Sequence, residues 1–387
     1  MSTVITPELE PEPQAPAAPE RLLSLDVFRG MTIAAMIVVN QLPGNINYAP
    51  LEHAEWNGWT HTDLIFPVFL FIVGTSMALS FAARRKKGDS DRRLALHSTR
   101  RAFTIYAIGF FLAAFPFYEG ILHRMRIMGV LQRIALVYLI AAPIYLFTSK
   151  RVRAFIVLGL LVGYDLLMHF VPVPGFGAGV LTSSGSLSAY IDRYLMLGHL
   201  WRPLWDPEGL LSTMGAIATC LIGTFVGELF LQESDWKKRL RTLLIVGAVF
   251  MALGYLWNPW FPINKNLWTS SYVLFTAGYA MAALAAVHWV VDIHGWKRFW
   301  TAPFLWLGAN PILAFTLSTF AAKNFFIIYK TPLDGRMVSY AGYAYRSWFR
   351  PLFADQRSAS LTFALTYLLI WVLVMGWFYR KKIFLRV

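Results

Sequence analysis

One short stretch of the sequence gathers the side-chain types that proton transfer uses. His53 is flanked by Glu52 and Glu55, and Asn57 and Asp63 follow within ten residues. A lone loop histidine is more often solvated than catalytic, but a neutral imidazole beside a carboxylate can accept a proton from an ammonium or hydroxyl group. The neighbouring residues therefore favour His53 as a general base.

Asn40 and Trp56 add two further chemical features to this stretch. Asn40 ends the first long apolar segment, and its amide could donate a hydrogen bond to a carbonyl oxygen that becomes an oxyanion. Trp56 and Trp59 place indole rings near His53, and Trp268 precedes a later apolar segment. Such rings offer flat apolar faces with one polar edge, which suits contact with a sugar.

Other polar side chains recur inside apolar segments or at their ends. Asp26 and Arg29 lie three residues apart in the first segment, so they share a helix face and can pair. A charged group at membrane depth costs about 3 kcal/mol, so the pair marks either a functional site or a structural lock, and both interpretations stay open. Two later groups are candidate binding residues: Arg126, Gln132 and Arg133, and Asn264, Lys265 and Asn266.

The elements that must position these residues are long apolar segments. Hydrophobic residues make up 57% of the 387-residue chain and charged residues only 14%, which excludes a disordered chain and an ordinary soluble enzyme. A membrane-crossing helix needs roughly 20 mostly apolar residues. The segments that meet this need are 22–41, 62–83, 102–118, 127–148, 154–171, 210–231, 242–258, 270–292, 302–322 and 359–379. We therefore predict an all-α bundle of about ten transmembrane helices.

Lysine and arginine are distributed unevenly between the two alternating sets of loops. The set that includes both chain ends carries 22 of these cations and the other set carries 12; cationic loops stay on the cytoplasmic side. Both termini are therefore predicted to be cytoplasmic, with residues 1–20 as a disordered tail and residues 21–387 as the transmembrane domain. The loop that contains His53 then faces outward. The outward segment 323–358 runs against the rule because it carries six cations.

The excess of basic residues gives a net charge of +14 but does not indicate nucleic-acid binding, because these residues adjoin apolar segments. The most basic loop, 84–101, is expected to contact the anionic head groups of membrane lipid. The single cysteine, Cys220, excludes an internal disulfide, and the histidines lack metal-ligand spacing, so no metal is predicted.

Several motifs, taken in order, resemble the heparan-α-glucosaminide N-acetyltransferase family of transmembrane acyltransferases, which has bacterial members. The motifs are SLDVFRG (24–30), HAEWNGWTHTDLIFPVFLFIVG (53–74), RIMGVLQRIALVY (126–138), VPVPGFGAG (171–179), YIDRYL (190–195), DPEGLL (206–211), FPINKNLW (261–268), VVDIHG (290–295) and YRKKIF (379–384). The resemblance implies a bacterial homologue that consists of the catalytic ten-helix region.

The resemblance also implies a reaction. Acetyl would pass from cytoplasmic acetyl-CoA, a co-substrate, to the amine of a glucosamine-type sugar on the periplasmic side of a bacterial inner membrane. His53 matches the family's catalytic histidine and Asn40 its partner asparagine. With the residues above, the candidate binding set is Asp26, Arg29, Trp56, Asn57, Asp63, Arg126, Gln132, Arg133, Asn264, Lys265 and Asn266. Arg126, Arg133 and Lys265, or the arginines that face the cytoplasm, are candidates for the phosphates of CoA. Direct attack, an acetyl-histidine intermediate and a homodimer all stay open.

Two other functions fit the same residues. The chain could transport N-acetylglucosamine, with Trp56, Trp59 and Trp268 against the sugar and Asp26 coupled to protons. It could also be an O-acyltransferase of cell-envelope glycans, in which His53 activates a hydroxyl group. The lack of an internal repeat favours the enzyme over a transporter built from two halves.

Overall fold

The computed structural model describes residues 22–43, 47–297, 299–333 and 335–385, which form a helical bundle with one β-hairpin. The helices are α1 (Leu23–Asn40), α2 (His61–Lys86), α3 (Asp91–Ala114), α4 (Val130–Phe147), α5 (Lys150–Phe170), α6 (Leu187–Met196), α7 (Thr213–Gln232), α8 (Trp236–Trp257), α9 (Ser270–His288), α10 (Thr301–Ala309), α11 (Pro311–Ala322), α12 (Tyr340–Ala344) and α13 (Gln356–Arg380). Strands β1 (Lys330–Leu333) and β2 (Arg336–Ser339) pair antiparallel. The tail expected at residues 1–20 lies outside the described residues.

Apolar length accounts for most of these helices, because a chain in lipid must satisfy its backbone hydrogen bonds within each segment. In the described part of the chain, nine helical runs are long and apolar enough to cross a membrane. Of the ten predicted segments, 102–118 is the one that does not meet this criterion. It lies in α3, whose first half carries four arginines that lower its mean hydropathy. The prediction of an all-α, multi-pass membrane protein is confirmed.

Loops that are distant in sequence meet at one end of the bundle, which we call the His53 end. The backbone N–H of Gly58 donates to the carbonyl oxygen of Ile263 at 2.8 Å, which joins the loop before α2 to the loop before α9. The side chain of Arg126 reaches Asp206 at 2.8 Å, which joins the segments before α4 and α7. The polar groups predicted in these loops therefore converge.

Close packing of α2 against α7 fixes the helix that carries Asp63. A Cβ atom added to Gly74 would lie 1.9 Å from the carbonyl oxygen of Cys220, so only glycine permits this approach. Gly223 makes the reciprocal contact, where a Cβ atom would lie 2.1 Å from the carbonyl oxygen of Phe71. Small residues let membrane helices pack backbone against backbone, so α2 and α7 form a rigid pair.

Asp26 and Arg29 pair near the start of α1, as their spacing predicts, with 2.5 Å between Oδ1 and Nη2. The Nε of Arg29 also donates to the carbonyl oxygen of Gly308 in α10 at 2.7 Å. Arg29 and Asn40 lie about 16 Å apart along the helix axis at 1.5 Å per residue. The pair therefore sits away from the His53 end and joins α1 to α10.

The predicted segment 302–322 is broken at Asn310, as the sequence LGANPIL suggests. Pro311 cannot donate a backbone hydrogen bond, so α10 ends at Ala309 and α11 begins at Pro311. The Asn310 side chain donates to the carbonyl oxygen of Ile383 at 2.8 Å and accepts the N–H of Leu385 at 3.0 Å. The break therefore holds the C-terminal segment against the bundle.

Candidate active site

His53 and Asp63 form a hydrogen-bonded dyad at the His53 end. The Nδ1 of His53 lies 2.6 Å from Oδ1 of Asp63, and Oδ2 accepts the backbone N–H groups of Ala54 and Thr60, each at 3.0 Å. A carboxylate beside Nδ1 selects the tautomer with the proton on that nitrogen, which leaves the Nε2 lone pair available. The side chain of Asp63 is 2% exposed and that of His53 is 56% exposed, so the dyad has a buried anchor and an accessible base.

A cavity of about 470 Å³ opens beside this dyad. Five of the residues that the sequence predicted line it: Asn40, His53, Arg126, Lys265 and Asn266. The structure adds Glu55, Trp201, Arg202, Trp205 and Glu208 to the same wall. The cavity thus combines a base, charged groups of both signs and aromatic rings, which is the composition expected of a site for a polar organic ligand.

A tight turn at the motif NKNLW presents Lys265 to the dyad. Asn264 holds the turn, since its Oδ1 accepts the N–H of Leu267 at 2.9 Å and its Nδ2 donates to Asn57 at 3.0 Å. Trp268 closes the turn with φ of 51°, a left-handed backbone conformation that non-glycine residues adopt at a cost. The predicted binding residues Asn57 and Asn264 therefore act on the loop that carries Lys265 rather than lining the cavity.

Lys265 lies against both members of the dyad. Its Nζ is 3.0 Å from Nδ1 and 3.3 Å from Nε2 of His53, and 3.6 Å from Oδ1 of Asp63. The side chain is only 18% exposed. Burial lowers the pKa of Lys265 below its usual range, although the charge of Asp63 opposes this shift. The cavity wall therefore carries a cation directly beside the base.

Arg126 is held by two carboxylates from the segment before α7. Its Nε donates to Asp206 at 2.8 Å, and its Nη2 contacts both Asp206 and Glu208. Burial disfavours the charged guanidinium, but Glu208 and Asp206 outweigh it and raise the pKa of Arg126. The acidic residues of the motif WDPEG do not cap α7, which begins at Thr213; Asp206 and Glu208 instead bind Arg126. A phosphate would have to compete with these carboxylates.

Arg133 and Gln132 lie in α4, outside the wall of the cavity. Arg133 is fully buried, where its Nη2 donates to the carbonyl oxygen of Gly209 at 2.9 Å and to Ser212 at 2.5 Å. Its guanidinium lies 5.0 Å from the ring of Trp268. Gln132 is also buried, against Gly129 and the neighbouring helix α3. Both residues contact segments next to the cavity without lining it, and the ligand contacts predicted for them stay predictions.

Trp201 and Trp205 line the cavity, whereas the predicted binding residue Trp56 packs against Trp205 and does not line it. Trp56 donates its indole N–H to the carbonyl oxygen of Leu181 at 2.9 Å and packs edge-to-face with Trp205, with ring centroids 5.2 Å apart. Trp201 covers the guanidinium of Arg126 at 5.1 Å. Trp201, Arg202 and Trp205 were not predicted. Only the density of tryptophan in WRPLWDPEG could have indicated them, because the contacts that bring this segment to the cavity are long-range.

A second cavity, of about 810 Å³, lies at the opposite end of the bundle. Its polar lining comes from Arg239 in α8, His288 at the end of α9, Asp292 and Lys297. The Nδ1 of His288 lies 2.9 Å from Asp292, whose carboxylate also accepts the backbone N–H of Ser24 at 3.3 Å. His288 is 2% exposed, and its Nε2 has no hydrogen-bond partner among the described residues. This cavity therefore combines a buried histidine–carboxylate pair with a partly buried arginine and an exposed lysine.

Known proteins share this sequence pattern. Residues 21–189 match the family model described as "Heparan-alpha-glucosaminide N-acetyltransferase, catalytic". The chain is 29% identical to the human protein named heparan-alpha-glucosaminide N-acetyltransferase, over 96% of this chain and 60% of that protein. It is 28% identical to the mouse protein of the same name, over 99% of this chain and 63% of that protein. The chain thus spans about three fifths of the length of these relatives. The resemblance inferred from the motifs is confirmed.

Proposed function

We propose that this chain is an acetyl-CoA-dependent N-acetyltransferase that acetylates the amine of a glucosamine-type sugar. The observation that carries the proposal is the His53–Asp63 dyad, which presents Nε2 at a cavity in a chain that is similar to N-acetyltransferases. A dyad with this geometry can accept the proton that an amine nitrogen loses as it attacks a carbonyl carbon. The cavity is large enough for one sugar ring and the end of a thioester arm.

The proposed chemistry uses His53 twice. Nε2 accepts a proton as the amine nitrogen attacks the thioester carbonyl carbon. The carbon–sulfur bond then breaks, the imidazolium returns the proton to the CoA thiolate, and the N-acetyl sugar and the CoA thiol leave. Asp63 holds the imidazole in one tautomer throughout, as the acidic member of a catalytic triad does. Asn40, on the wall formed by α1, orients the thioester.

We place the phosphates of the donor in the cavity at the opposite end. Helix α1 touches both cavities, with Leu23 lining one and Asn40 the other, and these residues are about 26 Å apart along the helix. Arg239 and Lys297 would bind phosphate oxygens, as cations commonly do.

The orientation follows from the lysine and arginine distribution. The opposite end adjoins the more cationic of the two sets of loops, so we place it and both termini in the cytoplasm. The His53 end then faces the periplasm of a bacterial inner membrane, where an amino sugar arrives. Donor and acceptor would enter from different compartments and meet at His53.

We expect Arg239→Gln and Lys297→Gln each to raise the KM for acetyl-CoA about tenfold, because each removes one charge-assisted contact to phosphate. The values of kcat and of KM for the sugar should change little. Arg241→Gln is the matched control, since Arg241 is an exposed arginine on the same helix that does not line the cavity. Equal KM values for acetyl-CoA in all three variants would contradict the placement of the donor.

The proposed function is tested by incubating the purified full chain, in detergent and in sealed vesicles, with acetyl-labelled acetyl-CoA and glucosamine. The expected product is N-acetylglucosamine, with label that resists mild base. Label that mild base removes would instead indicate an ester and therefore an O-acyltransferase. Accumulation of unmodified N-acetylglucosamine in vesicles without CoA would indicate a transporter. Absence of any labelled sugar with glucosamine and with glucosamine-terminated oligosaccharides would contradict the proposal.

A further inference from the structure

The charged group nearest to the dyad is the ammonium of Lys265, and the mechanism above gives it no role. Its Nζ lies 3.3 Å from Nε2, the nitrogen that would accept the proton, and lines the same cavity. The side chain of Lys265 contacts both His53 and Asp63 and is only 18% exposed to solvent. A buried ammonium facing a reaction cavity strengthens any negative charge that develops there.

The spacing of Nζ and Nε2 suits a tetrahedral intermediate. In such an intermediate, the attacking nitrogen and the former carbonyl oxygen are bonded to one carbon, so they lie closer together than the 3.3 Å between Nε2 and Nζ. Nε2 of His53 can therefore face the amine nitrogen of the intermediate while Nζ of Lys265 faces its oxygen. Asn40, on α1, lines the same cavity.

We propose that Lys265 is a catalytic residue that stabilises the oxyanion, an inference that rests on the proposed function. As the amine nitrogen bonds to the thioester carbon, the carbonyl π electrons move to oxygen and His53 takes the amine proton. The ammonium of Lys265 donates a hydrogen bond to that oxygen and keeps its own proton. The carbonyl then re-forms, the carbon–sulfur bond breaks, and the thiolate receives the proton from His53.

The two carboxylates near Lys265 favour its ammonium form. Asp63 faces it from α2 and Glu208 from the segment before α7, and both favour the charged amine. Arg133 in α4 and the burial of the side chain oppose it. His53 faces it from the loop before α2. Because the pKa of Lys265 is lowered overall, the ammonium is lost at a lower pH than that of an exposed lysine, and activity should fall there.

The test compares Lys265→Met, Lys265→Gln and Lys265→Arg with Lys330→Met, which removes an exposed lysine on β1. Lys265→Met should lower kcat about 100-fold, with both KM values within about threefold, because one oxyanion donor is lost. Lys265→Gln keeps a neutral donor and should lie between. Lys265→Arg keeps its charge at high pH, so it should retain a larger share of its maximal kcat there than the wild type does. Thermal unfolding of each variant reports on folding.

Two results would overturn the inference while the proposed function survives. One is an active wild type whose kcat is unchanged in Lys265→Met. The other is a Lys265→Arg variant whose kcat falls at the same alkaline pH as that of the wild type. A wild type that transfers no acetyl group to any amine acceptor would overturn the proposed function first.

Discussion

Replacement of His53 by glutamine should lower kcat for acetyl transfer by at least about 10²–10⁴-fold, the range that a general base contributes. The amide cannot accept the amine proton at neutral pH, so the tetrahedral intermediate returns to reactants. KM for acetyl-CoA should change little, since the donor phosphates are proposed to bind at the opposite end of the bundle. Measurements of kcat and KM with glucosamine and labelled acetyl-CoA check this expectation.

His61→Gln is the matched control for His53→Gln. His61 is an exposed histidine at the start of α2, eight residues after His53, and it does not line the cavity. It should retain acetyl transfer within a few-fold of the wild type. Normal turnover by a folded His53→Gln protein would remove the central residue of the mechanism.

Replacement of Asp63 by asparagine should lower kcat by about 10²–10⁴-fold through the orientation of the imidazole. The amide oxygen can still accept the N–H groups of Ala54 and Thr60, which leaves the amide NH₂ facing Nδ1 of His53. That NH₂ group would favour the tautomer with its proton on Nε2, where the lone pair is needed. The fold should persist, because the cap of α2 keeps its acceptor.

The control for Asp63→Asn is Asp89→Asn, which removes a carboxylate that pairs with Arg84 in the loop before α3. Both variants lose an ion pair, but only Asp63 belongs to the dyad. Asp89→Asn should therefore keep the kcat of the wild type. Thermal unfolding in detergent separates loss of structure from loss of turnover. A folded Asp63→Asn protein with wild-type kcat would show that the carboxylate does not set the tautomer.

The helices of this protein were predictable because each depends on its own residues. Apolar length predicts a membrane helix wherever it occurs, since lipid leaves the backbone no other hydrogen-bond partners. The pair of Asp26 and Arg29 depends on a spacing of three within one helix, and the break at Asn310 depends on the proline that follows it. The short helix α6 was not predicted, because it is too short and too polar to register as an apolar segment.

Part of the candidate site could also be predicted, because some of its residues are close together in the sequence. Asp63 follows His53 by ten residues, and both belong to the motif that supports the family resemblance. The sequence alone therefore indicates a role in proton transfer for a histidine beside carboxylates. Which carboxylate binds Nδ1 could not be predicted, because Glu52 and Glu55 are closer to His53 in sequence than Asp63 is.

The tertiary structure alone decided the partners of the charged residues. Lys265 reaches His53 across 212 positions of sequence, and Arg126 meets Asp206 across 80. These pairings arise because separate helices end at the same side of the bundle and bring their loops together. No single segment of the sequence carries that information. Composition and spacing specify where each helix begins and ends. Packing between helices specifies which buried charges neutralise each other and which remain beside the base.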